Sequence, residues 1–77
     1  MPVNPKLVDI VAELFDLEPA AVDDALTPED VELWDSMNHL RLVSAVEQEF
    51  QIKLSMQEIE SIHNLGALRA LIEQRAP

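Results

Sequence analysis

Trp34-Asp35-Ser36-Met37-Asn38-His39-Leu40-Arg41-Leu42-Val43-Ser44-Ala45-Val46-Glu47-Gln48-Glu49-Phe50 is the stretch that decides the fold class. Leu40, Val43, Val46 and Phe50 recur at helical spacing and share one face, while Met37, Arg41, Ser44 and Gln48 share the opposite one. Asp35 or Ser36 is a natural N-cap. The pattern predicts a helix from about Ser36 to Phe50.

The same reading extends in both directions. Upstream, Asn4 caps and Pro5 takes the first helical position, where a missing N–H costs little. Leu7, Val8, Val11, Leu14 and Phe15 form its apolar stripe, with Ile10 at the edge and Asp9, Glu13 and Asp16 opposite. Pro19 predicts an end by about Leu17. Residues 18–35 are then a long connection, and Thr27-Pro28-Glu29-Asp30 is expected to make one capped helical turn in it. Val22, Leu26, Val31, Leu33 and Trp34 are expected to hold this connection against the helices, with Trp34 as the packing anchor.

Downstream, Ser55-Met56-Gln57-Glu58 fits a capping box and Leu54 with Ile59 fits a hydrophobic staple. A short third helix with Ile59 and Ile62 facing inward is predicted. A last helix begins after Asn64 with Leu65, Leu68, Leu71 and Ile72 as its stripe, and Gly66 near its start is tolerated. Strand alternation is lacking. The expected fold is all-α, a small bundle of three longer helices and one short helix in a single domain, 1–77, with a long loop between the first two.

At 77 residues, with 48% hydrophobic residues and one Gly, the chain is sized for one core and not for a deep catalytic cleft. It has no Cys, which excludes disulfides, Cys-ligated zinc and a thiol nucleophile of its own. Fifteen acids against five bases give a net charge of −10, which disfavours nucleic acid and anionic membranes and favours partners with basic surfaces. Eight of the acids lie between Asp16 and Asp35, a stretch with no Lys or Arg. They read as a solvated loop or as a docking collar; EF-hand spacing is missing. No apolar run suits a membrane span and no export segment follows the N-terminus, so a cytoplasmic monomer without membrane insertion is expected.

Ser36 alone is an ordinary capping residue. It also stands where a helix N-terminus, with free N–H groups and the positive end of the dipole, tolerates a phosphodiester. Met37 beside it is an adaptable contact for partners. Ser36 and His39 lie on one side of the helix, but a nucleophile–base pair also needs an orienting group and an oxyanion site, and the sequence supplies neither. His39 reads as a half-buried polar residue or as a contact for whatever Ser36 carries. His39 and His63 form no metal-binding pair, and no metal is expected.

Asp35-Ser36-Met37 resembles the Asp-Ser-Leu signature of acyl carrier proteins. The acidic loop before it, Leu40 to Phe50 after it, Ile52-Lys53-Leu54 with its short capped helix, and the Leu-rich last helix match the family over nearly the whole chain. The resemblance implies a discrete carrier and not an enzyme. It implies that Ser36 receives 4′-phosphopantetheine from coenzyme A through a separate phosphopantetheinyl transferase. The arm's thiol then holds acyl groups as thioesters for partner enzymes of fatty-acid, polyketide or related specialised biosynthesis.

Asp35, Met37, Arg41, Glu47 and Glu49 become the partner-docking residues, facing basic patches on acyl-loading and acyl-processing enzymes. Trp34, His39, Leu40, Val43, Val46, Ile59 and Ile62 become possible contacts of the arm or acyl group. Asn38 and Arg41 stand where the most acidic family members carry Asp or Glu. Trp34-Asp35-Ser36 followed by His39-Leu40 looks more like carriers of specialised pathways than the housekeeping fatty-acid carrier. An aminoacyl or peptidyl carrier shares the Ser and helix pattern. An unmodified acidic helical adaptor and a Ser36/His39 hydrolase are the readings from other classes.

Overall fold

A computed structural model of the chain describes residues 4–75. Its helices are α1 (Pro5–Phe15), α2 (Ser36–Phe50), α3 (Met56–Glu60) and α4 (Leu65–Arg75), and no strand occurs among the described residues. The all-α bundle and its long first connection match expectation. Val3 and the other residues outside 4–75 lie beyond the description.

α1 starts as its sequence dictates: the Asn4 side chain accepts from the Lys6 N–H at 2.9 Å with Pro5 at the first position. It ends at Asp16, which adopts a left-handed conformation (φ 55°), and Leu17 N–H closes onto the Ala12 carbonyl at 2.9 Å. The stop is therefore a local left-handed cap, placed before Pro19 acts. α2 ends the same way: Gln51 has φ 56°, and Ile52 N–H reaches the Glu47 carbonyl at 3.1 Å. Neither cap is the Gly usually favoured there.

On α2 the buried residues are Leu42, Val43 and Val46, and Phe50 is half-buried. Leu40, expected inward, is 52% exposed. At about 100° per residue Leu40 lies about 120° from Val46, whereas Leu42 lies about 40° from it. The stripe is thus centred on the His39–Val46 line, and Leu40 falls outside it. Leu7, Val11 and Phe15 of α1 and Leu65, Leu68 and Ile72 of α4 complete one core with Val22, Val31 and Trp34 from the long connection.

That connection is packed against the core through Val22, Leu26, Val31 and Trp34, but Leu33, expected to join them, is 45% exposed, and the helical turn sits elsewhere. Pro19–Ala21 forms a 3-10 turn, while Thr27–Asp30 forms a hydrogen-bonded turn in which the Thr27 hydroxyl donates to the Asp30 carboxylate at 3.0 Å. The connection also satisfies the start of α4. Leu65 N–H donates to the Leu26 carbonyl and Gly66 N–H to the Asp24 carbonyl, both at 2.9 Å. The Asp24 carboxylate accepts from Arg69 Nε at 2.9 and 3.1 Å. A Cβ on Gly66 would lie 3.1 Å from the Asp24 Cβ and 3.2 Å from its carbonyl oxygen. Any side chain at Gly66 would press on Asp24, so the glycine serves this close approach.

α3 carries the expected capping box. Ser55 Oγ accepts from Glu58 N–H at 3.1 Å and Glu58 accepts from Ser55 N–H at 2.9 Å. Arg75 at the end of α4 pairs with Glu58 and donates to the Lys53 carbonyl. The Ser55 N–H, chiefly, holds the Glu58 carboxyl below its ordinary value; desolvation opposes the shift and Arg75 reinforces it.

Candidate functional site

Ser36 is the first residue of α2 and is exposed. The Asp35 side chain caps the helix by accepting from Asn38 N–H at 2.8 Å, and Asn38 Nδ2 donates to the Leu33 carbonyl at 2.7 Å. Asp35 is therefore the cap and Ser36 is released from that duty. Leu42, Val43 and Val46 bury one side of the helix in the core, so Ser36 is presented from a fixed element. The leading N–H groups of a helix have no intrahelical acceptor and carry the positive end of its dipole.

A groove of about 570 Å³ opens beside Ser36. Trp34, His39, Ile59 and Ile62 form its inner wall, and Leu40 and Met56 its exposed apolar sides. Asp35 and Glu60 lie on the lining as well, with Pro28 from the connection. The structure thus brings Trp34, His39, Leu40, Ile59 and Ile62 together around Ser36. Val43 and Val46, 3% and 0% exposed, belong to the core and do not line the groove. Pro28, Met56 and Glu60 were not anticipated. Met56 had a signal, because a large apolar residue directly after a capping Ser on a five-residue helix has little room to turn inward.

Trp34 is 4% exposed and its indole Nε1–H donates to His39 Nδ1 at 2.9 Å. His39 Nδ1 is thereby an acceptor, so the ring proton sits on Nε2, which donates to the Ile59 carbonyl at 3.0 Å. Both nitrogens are engaged, and neither is available to take a proton from Ser36. This geometry does not support a Ser36–His39 hydrolase pair.

The remaining residues expected at a docking face separate. Met37 is 65% exposed and Arg41 is exposed on the outward side of α2. Glu49 is exposed, with Lys6 Nζ at 3.8 Å. Glu47 is half-buried and its carboxylate accepts from Leu54 N–H at 2.9 Å, tying the end of α2 to the segment before α3. Among the described residues no group of three or more His, Cys, Asp or Glu could hold a metal ion. No helix among them is long and apolar enough to cross a membrane.

The family model for the phosphopantetheine attachment site matches residues 5–72. The chain belongs to that family. Its fold is also that of the holo acyl carrier protein from Geobacter metallireducens, known from a solution NMR structure. The two chains are 27% identical and superpose with a TM-score of 0.85 over 97% of this chain and 86% of that one. No curated protein matches the chain. As a member of the phosphopantetheine attachment family it is a non-catalytic carrier, and its prosthetic group is covalent 4′-phosphopantetheine. The residues around Ser36 fit such a group. The position is exposed, stands at the N-terminus of a 15-residue helix, and borders a groove with apolar sides.

Proposed function

We propose that Ser36 is the attachment residue and that the chain works as a single-domain acyl carrier for fatty-acid, polyketide or related specialised biosynthesis. The observation that carries this reading is the exposed Ser36 at the first turn of α2, opening onto the groove, inside the stretch that the family model matches. Loading forms a bond between Ser36 Oγ and the phosphorus of the pantetheine arm of coenzyme A, and the adenosine 3′,5′-bisphosphate leaves. The arm, when bound, supplies the thiol that holds the acyl group. Asp35 fixes the helix start so that Ser36 meets the transferase in one orientation.

Partner enzymes dock on the outward side of α2 and on the acidic connection before it. Met37 and Arg41 lie at the centre of that surface, and Asp35 and Glu49 supply acids at its two ends. Glu47 contributes little to docking, because its carboxylate is bound to Leu54 N–H. Basic patches on the transferase and on acyl-loading enzymes complement the net charge of −10 and speed encounter at low salt. We place the carrier in the cytoplasm, because loading consumes coenzyme A, an intracellular metabolite.

A fluorescent coenzyme A analogue with a broad-specificity phosphopantetheinyl transferase tests the assignment. The native chain takes the label and Ser36→Ala does not. Labelling of folded Ser36→Ala would move the attachment to another residue, and retained biological activity of an unlabelled Ser36→Ala would sink the carrier reading and leave the acidic adaptor.

A further inference from the structure

Three rings run from the core to the inner wall of the groove. Phe15, 2% exposed, stacks on Trp34 at a centroid distance of 5.3 Å and an interplanar angle of 25°. Trp34 lies edge to edge with His39, the ring centroids 6.1 Å apart and the planes 20° off parallel. Trp34 and His39 are pinned by two hydrogen bonds in series, Trp34 Nε1–H to His39 Nδ1 and His39 Nε2–H to the Ile59 carbonyl. These bonds join the end of the long connection to α2, and α2 to the end of α3.

A hydrocarbon chain starting at Ser36 has two places to lie. To enter the core between α2 and α3 it must separate His39 from Trp34 or from Ile59. Its methylenes offer no replacement partner, so a buried indole N–H or a part-buried carbonyl is left unpaired. The groove outside these bonded rings needs no such loss. Its apolar sides, Leu40 and Met56, are 52% and 63% exposed, so a chain there stays wet on one side and gains little from each added methylene.

We propose that the Trp34–His39–Ile59 relay is a latch that determines cargo: it bars the acyl chain from the core and makes this a carrier of short acyl groups held in the surface groove. The proposal rests on Ser36 bearing the arm. Trp34 and His39 act as positioning residues that hold the wall shut.

The test loads the whole chain with acetyl-, butyryl-, octanoyl- and dodecanoyl-pantetheine from the matching acyl-coenzyme A, and intact mass verifies each product. Two readouts follow: the indole N–H resonance of Trp34, the sole Trp, and the melting temperature. Expected for the native chain is an indole resonance that stays in place and a melting temperature that stays flat across the series. Expected for His39→Ala is a melting temperature that rises with chain length. Should His39→Ala fail to fold, the Trp34→Phe/His39→Leu double variant, which removes both polar partners, takes its place. An indole shift or a length-dependent rise in the native chain overturns the latch. So does a flat series in the opened variant, because the relay would then not be what excludes the chain. Failure to gain mass at all counts against the Ser36 reading instead, which separates the two.

Discussion

Replacing His39 with Leu perturbs the relay without removing bulk from the wall. In the native chain the change leaves the Trp34 indole N–H, on a residue 4% exposed, without its acceptor. An unsatisfied buried donor costs about 1–3 kcal/mol. Losing the bond to the part-buried Ile59 carbonyl adds about 0.5 kcal/mol, and the better helix propensity of Leu returns a similar amount. The sum is about 2 kcal/mol, a large share of the roughly 3–5 kcal/mol such a core supplies. The melting temperature should fall by about 8–16 °C. In a Trp34→Phe background the same His39→Leu change no longer strands an indole N–H, and the lost bond to the Ile59 carbonyl is offset by the helix propensity of Leu, so it should cost under about 0.5 kcal/mol. A coupling energy of about 1.5 kcal/mol is therefore expected. Urea unfolding followed by far-UV circular dichroism measures all four proteins, since indole fluorescence is lost in half of them. A coupling below about 0.3 kcal/mol would mean that Trp34 and His39 do not act as a bonded pair, and the reasoning would fail.

Three further outcomes are expected. Gly66→Val should destabilise by about 1–3 kcal/mol through its contact with Asp24, and Gly66→Ala should not show the roughly 1 kcal/mol gain of an ordinary helical site; thermal melts of both decide this. Gln51→Gly should stabilise by about 0.5–1 kcal/mol by relieving the left-handed cap of α2, and an unchanged urea midpoint would count against that strain. Glu58 has its carboxyl lowered below 4.5 by Ser55 N–H, so its contribution is fully present above that value and disappears as pH falls through the lowered one. Acid titration of stability should lose part of its slope in that window in Glu58→Gln and keep it if the capping box is not formed.

Local signals carried most of the fold. The Asn4–Pro5 start, the Asp35 cap and the Ser55–Glu58 box are each decided within a few residues, and each forms as the sequence implies. The left-handed stops at Asp16 and Gln51 were hidden because neither residue is Gly. The exposure of Leu40 is not legible in the spacing, because four residues at helical spacing define a stripe only to within one position, and Leu42 competes for the same face. The role of Gly66 is not legible in the sequence, because its partner, Asp24, comes from a connection whose path only the packed structure fixes. Ser36 could be singled out in the sequence, as could its neighbours on α2. The relay could not, because it joins residues 5 and 20 positions apart and depends on a ring tautomer.

Attachment at Ser36 is the claim on which the function rests. Intact mass should be measured on the folded chain before and after incubation with coenzyme A and a broad-specificity phosphopantetheinyl transferase, and peptide mapping should locate any addition. The predicted result is a single phosphopantetheine on Ser36. Addition at another residue, or none on a folded chain that was unmodified at the outset, would contradict the account.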